Sequence, residues 1–189
     1  MRKINYKNRL DFYLRVTSIP EPRRGDSDVK VLLSLGGWTD SSGDKYSRLV
    51  SDGAARRKFV METVAFLRRH NFGGLHLDWH YPRCWQSNCA KGPAADRPNF
   101  TKLIQELRAE FDKQSPPMQL AVAISGYKEV LDAAYEVAAI SKAVDFMSVM
   151  TYDYHGAWEK KTGHVSPLFY RQGDRFPQYN TVICNTNLE

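Results

Sequence analysis

Long apolar runs, cysteine and clustered charge are all scarce in this sequence. No stretch is long and apolar enough to predict a transmembrane helix, so we do not expect a membrane partner. Residues 1–9 contain no apolar segment typical of a signal peptide. The formal charge is +6, but the basic residues are scattered singly or in short groups that read as solvated faces. We therefore do not expect nucleic-acid binding.

The cysteine pattern favours a local disulfide over a metal site. Cys84 and Cys89 are close in the sequence, and no second closely spaced pair of cysteines exists to complete a zinc site. A disulfide indicates an oxidising compartment, and two free thiols are the alternative. Cys184 is left over. A missing N-terminal segment would reconcile an oxidising compartment with the absence of a signal-like stretch.

Apolar periodicity predicts four strands that alternate with helices. With 189 residues, 42% of them apolar and 25% charged, the composition is that of one ordinary globular domain. Branched apolar runs predict the strands, and apolar stripes at helical spacing predict the helices. Ser51 and Asp52 are candidate N-caps of the first helix. The predicted strands are 29–35, 74–79, 119–125 and 146–151, and the predicted helical stretches are 59–67, 100–111 and 130–143.

This alternation predicts an α/β fold with parallel strands, because serial βαβ units are joined by right-handed crossovers. Two architectures fit: an open doubly wound sheet, or part of a (β/α)8 barrel that four strands cannot close. We divide a single incomplete domain, 1–189, into an N-terminal helical or loop region (1–28), a βα core (29–156) and an irregular tail (157–189). An open arc would leave two strand edges unpaired, so we expect poor solubility or self-association in isolation.

The carboxyl ends of the predicted strands collect aromatic side chains. Ligands of parallel α/β folds bind beyond these ends. Pyranose rings have apolar faces that stack on aromatic rings, so such a site suits a sugar. Packing inside the core is the alternative for some of these rings. The residues are Trp38, Trp79, Tyr81, Tyr127, Tyr152 and Tyr154.

The second predicted strand carries ionisable residues in alternation. Successive side chains of a strand point to opposite faces, so His76, Asp78 and His80 are expected on one face. Ionisable groups on an inner face are costly unless they are used, which makes Asp78 a functional candidate. The face toward the helices would hold Leu75, Leu77 and Trp79.

Three sequence blocks resemble glycoside hydrolase family 18, the chitinases and their inactive relatives. The blocks are KVLLSLGGW (30–38), FGGLHLDWHYP (72–82) and MTYD (150–153). The match runs from about Asp11 to about Tyr170 and implies a partial TIM (β/α)8 barrel, about strands three to six with their helices. The loop from Cys84 to Cys89 resembles that of extracellular animal members, which implies an extracellular location.

The family's chemistry implies roles for positions of this sequence. In family 18 a glutamate protonates the glycosidic oxygen and the substrate's own acetamido oxygen attacks, so neither a protein nucleophile nor a cofactor is expected. By resemblance, Asp78 matches the aspartate that orients the acetamido group, Tyr152 the tyrosine that binds its carbonyl, and Trp38 a sugar-stacking tryptophan. Other substrate-binding positions implied by the resemblance are Tyr81, Met150 and Asp153.

Three acidic positions of the family signature F-D-G-x-D-x-D-W-E-Y-P are replaced. Gly73 and His76 stand where two aspartates belong, and His80 stands where the catalytic glutamate belongs. Imidazole differs from a carboxylic acid in reach, and a misplacement of about 1 Å can cost on the order of 100-fold in rate. We therefore expect no intact catalytic residue and both histidines hydrogen-bonded to Asp78. The predicted protein binds chitin or N-acetylglucosamine oligomers without hydrolysing them.

Three alternatives stay open. The chain could be a residual chitinase that acts on β-1,4-N-acetylglucosamine linkages. It could instead be a non-functional fragment of a larger chitinase, with the other domains of that chain as partners. A metal site is the third: His76, Asp78 and His80 share a strand face, and Asp153 and His155 could add ligands. A histidine pair bonded to Asp78 is favoured over that metal site.

Overall fold

The computed structural model describes residues 29–174 and 176–182. The predicted N-terminal region, 1–28, and Cys184 lie outside the described residues. Within the described ranges, no helix combines the length and the apolar character needed to cross a membrane.

Four parallel strands form one sheet in chain order, which confirms the predicted α/β class. The strands are β1 (Leu32–Gly36), β2 (Gly74–Asp78), β3 (Gln119–Ser125) and β4 (Phe146–Met150). Their order in the sheet is β1-β2-β3-β4, and all three pairings are parallel. Three strands lie within their predicted segments, and β1 extends one residue beyond its segment, to Gly36, so the apolar runs located the sheet correctly.

Five helices lie in the described part of the chain. They are α1 (Lys45–Ser51), α2 (Gly53–Arg69), α3 (Asp96–Phe111), α4 (Lys128–Ala134) and α5 (Val137–Ile140). The Asp52 carboxylate accepts a hydrogen bond from Ala54 N at 2.7 Å and caps α2, as predicted. Ser51 is instead the last residue of α1. The sequence did not predict this helix, because seven residues are too few for a repeated apolar stripe.

The two faces of the sheet differ because side chains alternate along each strand. One face packs against the helices, and Leu75, Leu77 and Trp79 are buried there as predicted. The opposite, inner face carries mostly small or polar side chains. One row across it consists of Ser34, His76, Ala121 and Phe146. In this row the edge residues Ser34 and Phe146 are exposed, whereas Ala121 in the middle is fully buried.

The segment after β4 consists mainly of turns and loops up to residue 182. It folds back on itself, since Tyr154 N donates to Val165 O at 3.0 Å. Several of its large apolar side chains are exposed. They are Trp158, Val165, Leu168, Phe169, Tyr170 and Phe176. The division of the chain into a core and a tail, and its self-association, stay predictions.

Candidate functional site

A short loop after β1 brings an exposed tryptophan to the end of β2. Gly36 pairs with Asp78 in the register, and Gly37 N donates to Asp78 O at 2.7 Å. Trp38 follows directly, and its ring lies edge-on to that of His80 with centroids 5.8 Å apart. Because Trp38 is 51% exposed, much of its ring is available to a ligand.

Asp78 and His80 form a hydrogen-bonded pair, with 2.9 Å between Asp78 Oδ1 and His80 Nε2. This bond lowers the pKa of Asp78 below its ordinary value, although burial opposes the shift. Asp78 is therefore ionised at neutral pH, and because a carboxylate only accepts hydrogen bonds, His80 Nε2 carries the proton. His80 is 8% exposed, and its buried Nδ1 has no hydrogen-bond partner among the described residues.

His76 does not join this pair. Its Nδ1 lies 3.2 Å from Ser34 Oγ on the neighbouring strand, and its buried Nε2 has no hydrogen-bond partner within the described ranges. Burial lowers the pKa of His76, while the Asp78 carboxylate opposes that shift. The prediction that both histidines bond Asp78 is confirmed for His80 and wrong for His76. The register explains the difference, because it places Ser34 directly beside His76.

Tyr81 and Tyr152 complete the polar surroundings of Asp78. Tyr81 is buried, and its ring stacks on that of His80 with centroids 4.9 Å apart. Burial raises the pKa of Tyr81 to about 12. Tyr152 is 49% exposed, and its pKa is raised by partial burial first and by the Asp78 carboxylate second. Both phenols are therefore protonated at neutral pH and can donate a hydrogen bond.

Met150 and Asp153 lie at the end of β4 with opposite exposure. Met150 is the last residue of the strand and is buried. Asp153 is exposed and has a left-handed backbone with φ 59°. Its carbonyl accepts a hydrogen bond from the hydroxyl of the half-buried Tyr127. Asp153 is therefore accessible from solvent and Met150 is not, and the ligand-binding roles expected for both residues stay predictions.

Besides Tyr81, two more of the predicted aromatic residues are buried. Trp79 is buried against Tyr46 and Phe100, with ring centroids 5.5 Å and 5.7 Å away. Tyr154 is buried, and its hydroxyl donates to Gly126 O at 3.0 Å. The packing alternative is correct for both residues, since the strand alternation turns Trp79 toward the helices.

The metal hypothesis finds no support in this arrangement. In residues 29–174 and 176–182, no three histidine, cysteine, aspartate or glutamate side chains are grouped so that they could hold a metal ion. His155 Nδ1 lies 2.7 Å from Glu159 Oε2 rather than near Asp78. Cys84 and Cys89 are joined by a disulfide, as predicted.

Comparison with known proteins identifies the family. The family model described as glycosyl hydrolases family 18 matches residues 3–187. This chain belongs to glycosyl hydrolases family 18. A family 18 relative, Probable chitinase 10 of Drosophila melanogaster, is 61% identical over 170 residues. Those residues are 90% of this chain and 7% of that protein.

Solved family 18 structures share the fold. The second catalytic domain of Ostrinia furnacalis Group II chitinase, a mutant in complex with penta-N-acetylchitooctaose, is 48% identical with a TM-score of 0.88. Human YKL-39, described as a pseudo-chitinase with retained chitooligosaccharide binding properties, is 30% identical with a TM-score of 0.80. The match covers 97% of this chain and 45% of the first, and 98% of this chain and 50% of the second. The strands therefore form part of a family 18 (β/α)8 barrel, as predicted, and the chain spans about half of these solved chains.

A buried carboxylate between the helices and the disulfide loop was not predicted from the sequence. Asp96, the first residue of α3, is almost fully buried. It accepts hydrogen bonds from Ser47 Oγ at 2.6 Å, Arg83 N at 3.1 Å and Trp85 Nε1 at 3.1 Å. Asp96 thereby joins α1, α3 and the disulfide loop that follows β2. In the sequence it is one acidic residue of a polar loop, and no spacing sets it apart.

Acidification is expected to destabilise the family 18 fold through His76. The pKa of His76 in the folded chain lies below the ordinary histidine value of about 6.5, so between the two values the unfolded chain binds more protons. The free energy of unfolding therefore falls as the pH drops below about 6.5. Urea unfolding at about pH 7 and about pH 5 measures this loss, which should be smaller for His76→Gln than for the unmodified chain.

The matched control for this titration is His164→Gln, which changes an exposed histidine. This variant should lose as much stability between the two pH values as the unmodified chain does. Equal losses for His76→Gln and the unmodified chain would show that His76 is not responsible.

Proposed function

We propose that this chain is a chitinase-like protein that binds chitin or N-acetylglucosamine oligomers without hydrolysing them. The hydrogen-bonded pair of Asp78 and His80 carries the proposal. His80 stands at the glutamate position of the family signature, and a general acid there must reach the glycosidic oxygen with a proton to donate. The proton on His80 Nε2 is directed at Asp78 Oδ1, 2.9 Å away, and Nδ1 is buried. Neither ring nitrogen is placed to protonate a ligand.

The change at His76 supports the same proposal. In the family signature this position is an aspartate that assists the one at Asp78 during the reaction. Here the imidazole of His76 faces Ser34 Oγ at 3.2 Å, and burial keeps it uncharged by lowering its pKa. The second carboxylate is therefore absent from the inner face beside Asp78, so the acidic residues of the signature are interrupted at His76 and His80 as well as at Gly73.

The side chains expected to bind a sugar are present. An N-acetylated pyranose needs an apolar stacking surface and polar partners for its edge. Trp38 offers an exposed ring, Tyr152 an exposed and protonated phenol, and Asp78 an ionised carboxylate. Human YKL-39, which is described as a pseudo-chitinase, retains chitooligosaccharide binding. That description supports the proposal that binding in this family can persist without hydrolysis.

We also propose that the chain acts outside the cell, as part of a longer protein. The disulfide of Cys84 and Cys89 favours an oxidising compartment. The Drosophila relative is far longer than the matched segment, which is 7% of its length. Other domains of such a chain are the proposed partners besides the oligosaccharide.

Trp38→Ala is expected to weaken the binding of penta-N-acetylchitopentaose by about 10- to 30-fold. An aromatic residue that stacks at the centre of a binding site contributes about 1.4 to 2 kcal/mol. Tyr152→Phe removes a single hydrogen-bond donor and is expected to weaken binding about 3- to 10-fold. Isothermal titration calorimetry at neutral pH measures both dissociation constants.

Met61→Ala is the matched control, because it removes an equally exposed apolar side chain from α2, on the helix side of the sheet. It should bind like the unmodified chain. Absence of binding by the unmodified chain would refute the sugar-binding proposal. Release of shorter oligosaccharides by the unmodified chain but not by His80→Ala would instead refute the loss of hydrolysis.

A further inference from the structure

Ser41 is a fully buried serine in the loop that carries Trp38. Its backbone N donates to Gly37 O at 2.9 Å, which closes the turn around Trp38. Its Oγ accepts a hydrogen bond from His80 N at 2.9 Å and donates to Asp78 O at 3.4 Å. The Ser41 hydroxyl therefore contacts the backbone of both Asp78 and His80, the two residues of the hydrogen-bonded pair at the end of β2.

These bonds connect two segments that are almost 40 residues apart in the sequence. Asp78 O also accepts a hydrogen bond from Gly37 N at 2.7 Å. Gly37 and Ser41, which flank Trp38 in the loop, are therefore both bonded to the end of β2. Without the Ser41 hydroxyl, His80 N–H would be a buried donor that has lost its acceptor. Such a donor is costly to leave unpaired, so the loop and the strand end would move relative to each other.

We propose that Ser41 is a positioning residue that fixes the Trp38 ring relative to the Asp78–His80 pair. Because Ser41 is fully buried, it contacts no ligand and acts only through these backbone bonds. A sugar that stacks on Trp38 and bonds Asp78 needs both groups at one fixed separation, and binding groups must be held within about 0.5 Å to be effective. Ser41 thus sets the affinity for the oligosaccharide, a consequence that rests on the proposed function.

Amide hydrogen exchange at His80, followed by NMR without ligand, tests the positioning role by itself. Ser41→Ala is expected to speed exchange of the His80 amide at least about tenfold, because its acceptor is gone. Ser41→Thr retains the hydroxyl and should keep the amide protected. Unchanged protection in Ser41→Ala would overturn the positioning role whether or not the chain binds sugar.

A double-mutant cycle tests the consequence for binding. Ser41→Ala is expected to raise the dissociation constant for penta-N-acetylchitopentaose about 5- to 10-fold. In the Trp38→Ala background the same change should have at most about a twofold effect, because the ring that Ser41 positions is absent. Equal fold-changes in the two backgrounds would overturn the proposal. A third outcome is that Ser41→Ala loses protection of the His80 amide while the unmodified chain binds no sugar. That outcome would refute the proposed function and its consequence for binding, but not the positioning role.

Ser47→Ala is the matched control for general destabilisation. Ser47 is also buried, and its hydroxyl bonds Asp96 rather than the Trp38 loop. Ser47→Ala should leave the dissociation constant within about twofold, since the loss of one buried hydrogen bond elsewhere does not move the ring. A loss of affinity equal to that of Ser41→Ala would overturn the proposal. If Ser41→Ala does not fold, Ser41→Thr decides, because weakened binding with a protected His80 amide also overturns it.

Discussion

Replacing Gly36 with alanine is expected to lower the free energy of unfolding by about 3 to 5 kcal/mol. Gly36 ends β1 with φ 123°, and a Cβ there would lie 2.2 Å from Asp78 O. Two costs add, because the left-handed φ strains an L-residue and the methyl group overlaps a backbone atom of the paired strand. That loss is a large part of the roughly 5 to 15 kcal/mol typical of a domain. Urea unfolding of the two proteins measures it.

Gly43→Ala separates these two costs. Gly43 also has a positive φ, 84°, but no atom lies within 4 Å of the position that a Cβ would take. Only the backbone strain remains, and we expect a loss of about 1 kcal/mol. If Gly36→Ala costs no more than Gly43→Ala, the close approach of β1 to Asp78 O is not the reason for a glycine at this position.

Asp96→Ala is expected to lower the free energy of unfolding by about 3 to 5 kcal/mol. The substitution leaves the Ser47 hydroxyl, the Arg83 amide and the Trp85 indole N–H without their acceptor. Each buried donor left unpaired costs roughly 1 to 3 kcal/mol. Part of this loss is offset, because the alanine variant no longer has to bury a charge. Thermal and urea unfolding measure the loss. Asp96→Asn retains one acceptor oxygen and should lie between alanine and the unmodified chain.

Asp52→Ala is the appropriate comparison for Asp96→Ala. Asp52 is also an aspartate at a helix start, but it is exposed and accepts a single bond, from Ala54 N at 2.7 Å. Loss of such an N-cap costs about 1 kcal/mol. Similar losses for the two variants would mean that burial of the Asp96 carboxylate adds nothing to its structural role.

The sheet could be predicted because its strands are apolar runs interrupted by glycine or polar residues. Leu75 and Leu77 alternate with His76 and Asp78, and this period of two places the leucines against the helices. The helix α1 could not be predicted, because seven residues with two buried apolar side chains, Tyr46 and Val50, are too few for a repeated stripe. Tertiary contacts hold it in place, including the Ser47 bond to Asp96 at 2.6 Å.

The candidate site was predictable as a set of residues but not as a set of contacts. Alternation alone places His76, Asp78 and His80 together and leaves the pairing among them undecided. Which histidine bonds Asp78 depends on the register of β1 and β2. Ser34 on β1 lies beside His76, 3.2 Å from its Nδ1, whereas His80 bonds Asp78. The alternation within one strand fixes which face each side chain occupies, but not which residue of the neighbouring strand lies beside it.

The parallel α/β architecture and the likeness to family 18 could be read from the sequence alone, because they depend on residue identity and local period. Three features follow from the folded structure and not from the sequence pattern: His80 rather than His76 binds Asp78, Ser41 and Asp96 are buried hydrogen-bonding residues, and Trp38 is exposed while Trp79 is not. The physical reason is that burial and hydrogen-bond partners arise from segments distant in the chain, such as Ser41 and His80, that meet only after the strands have paired.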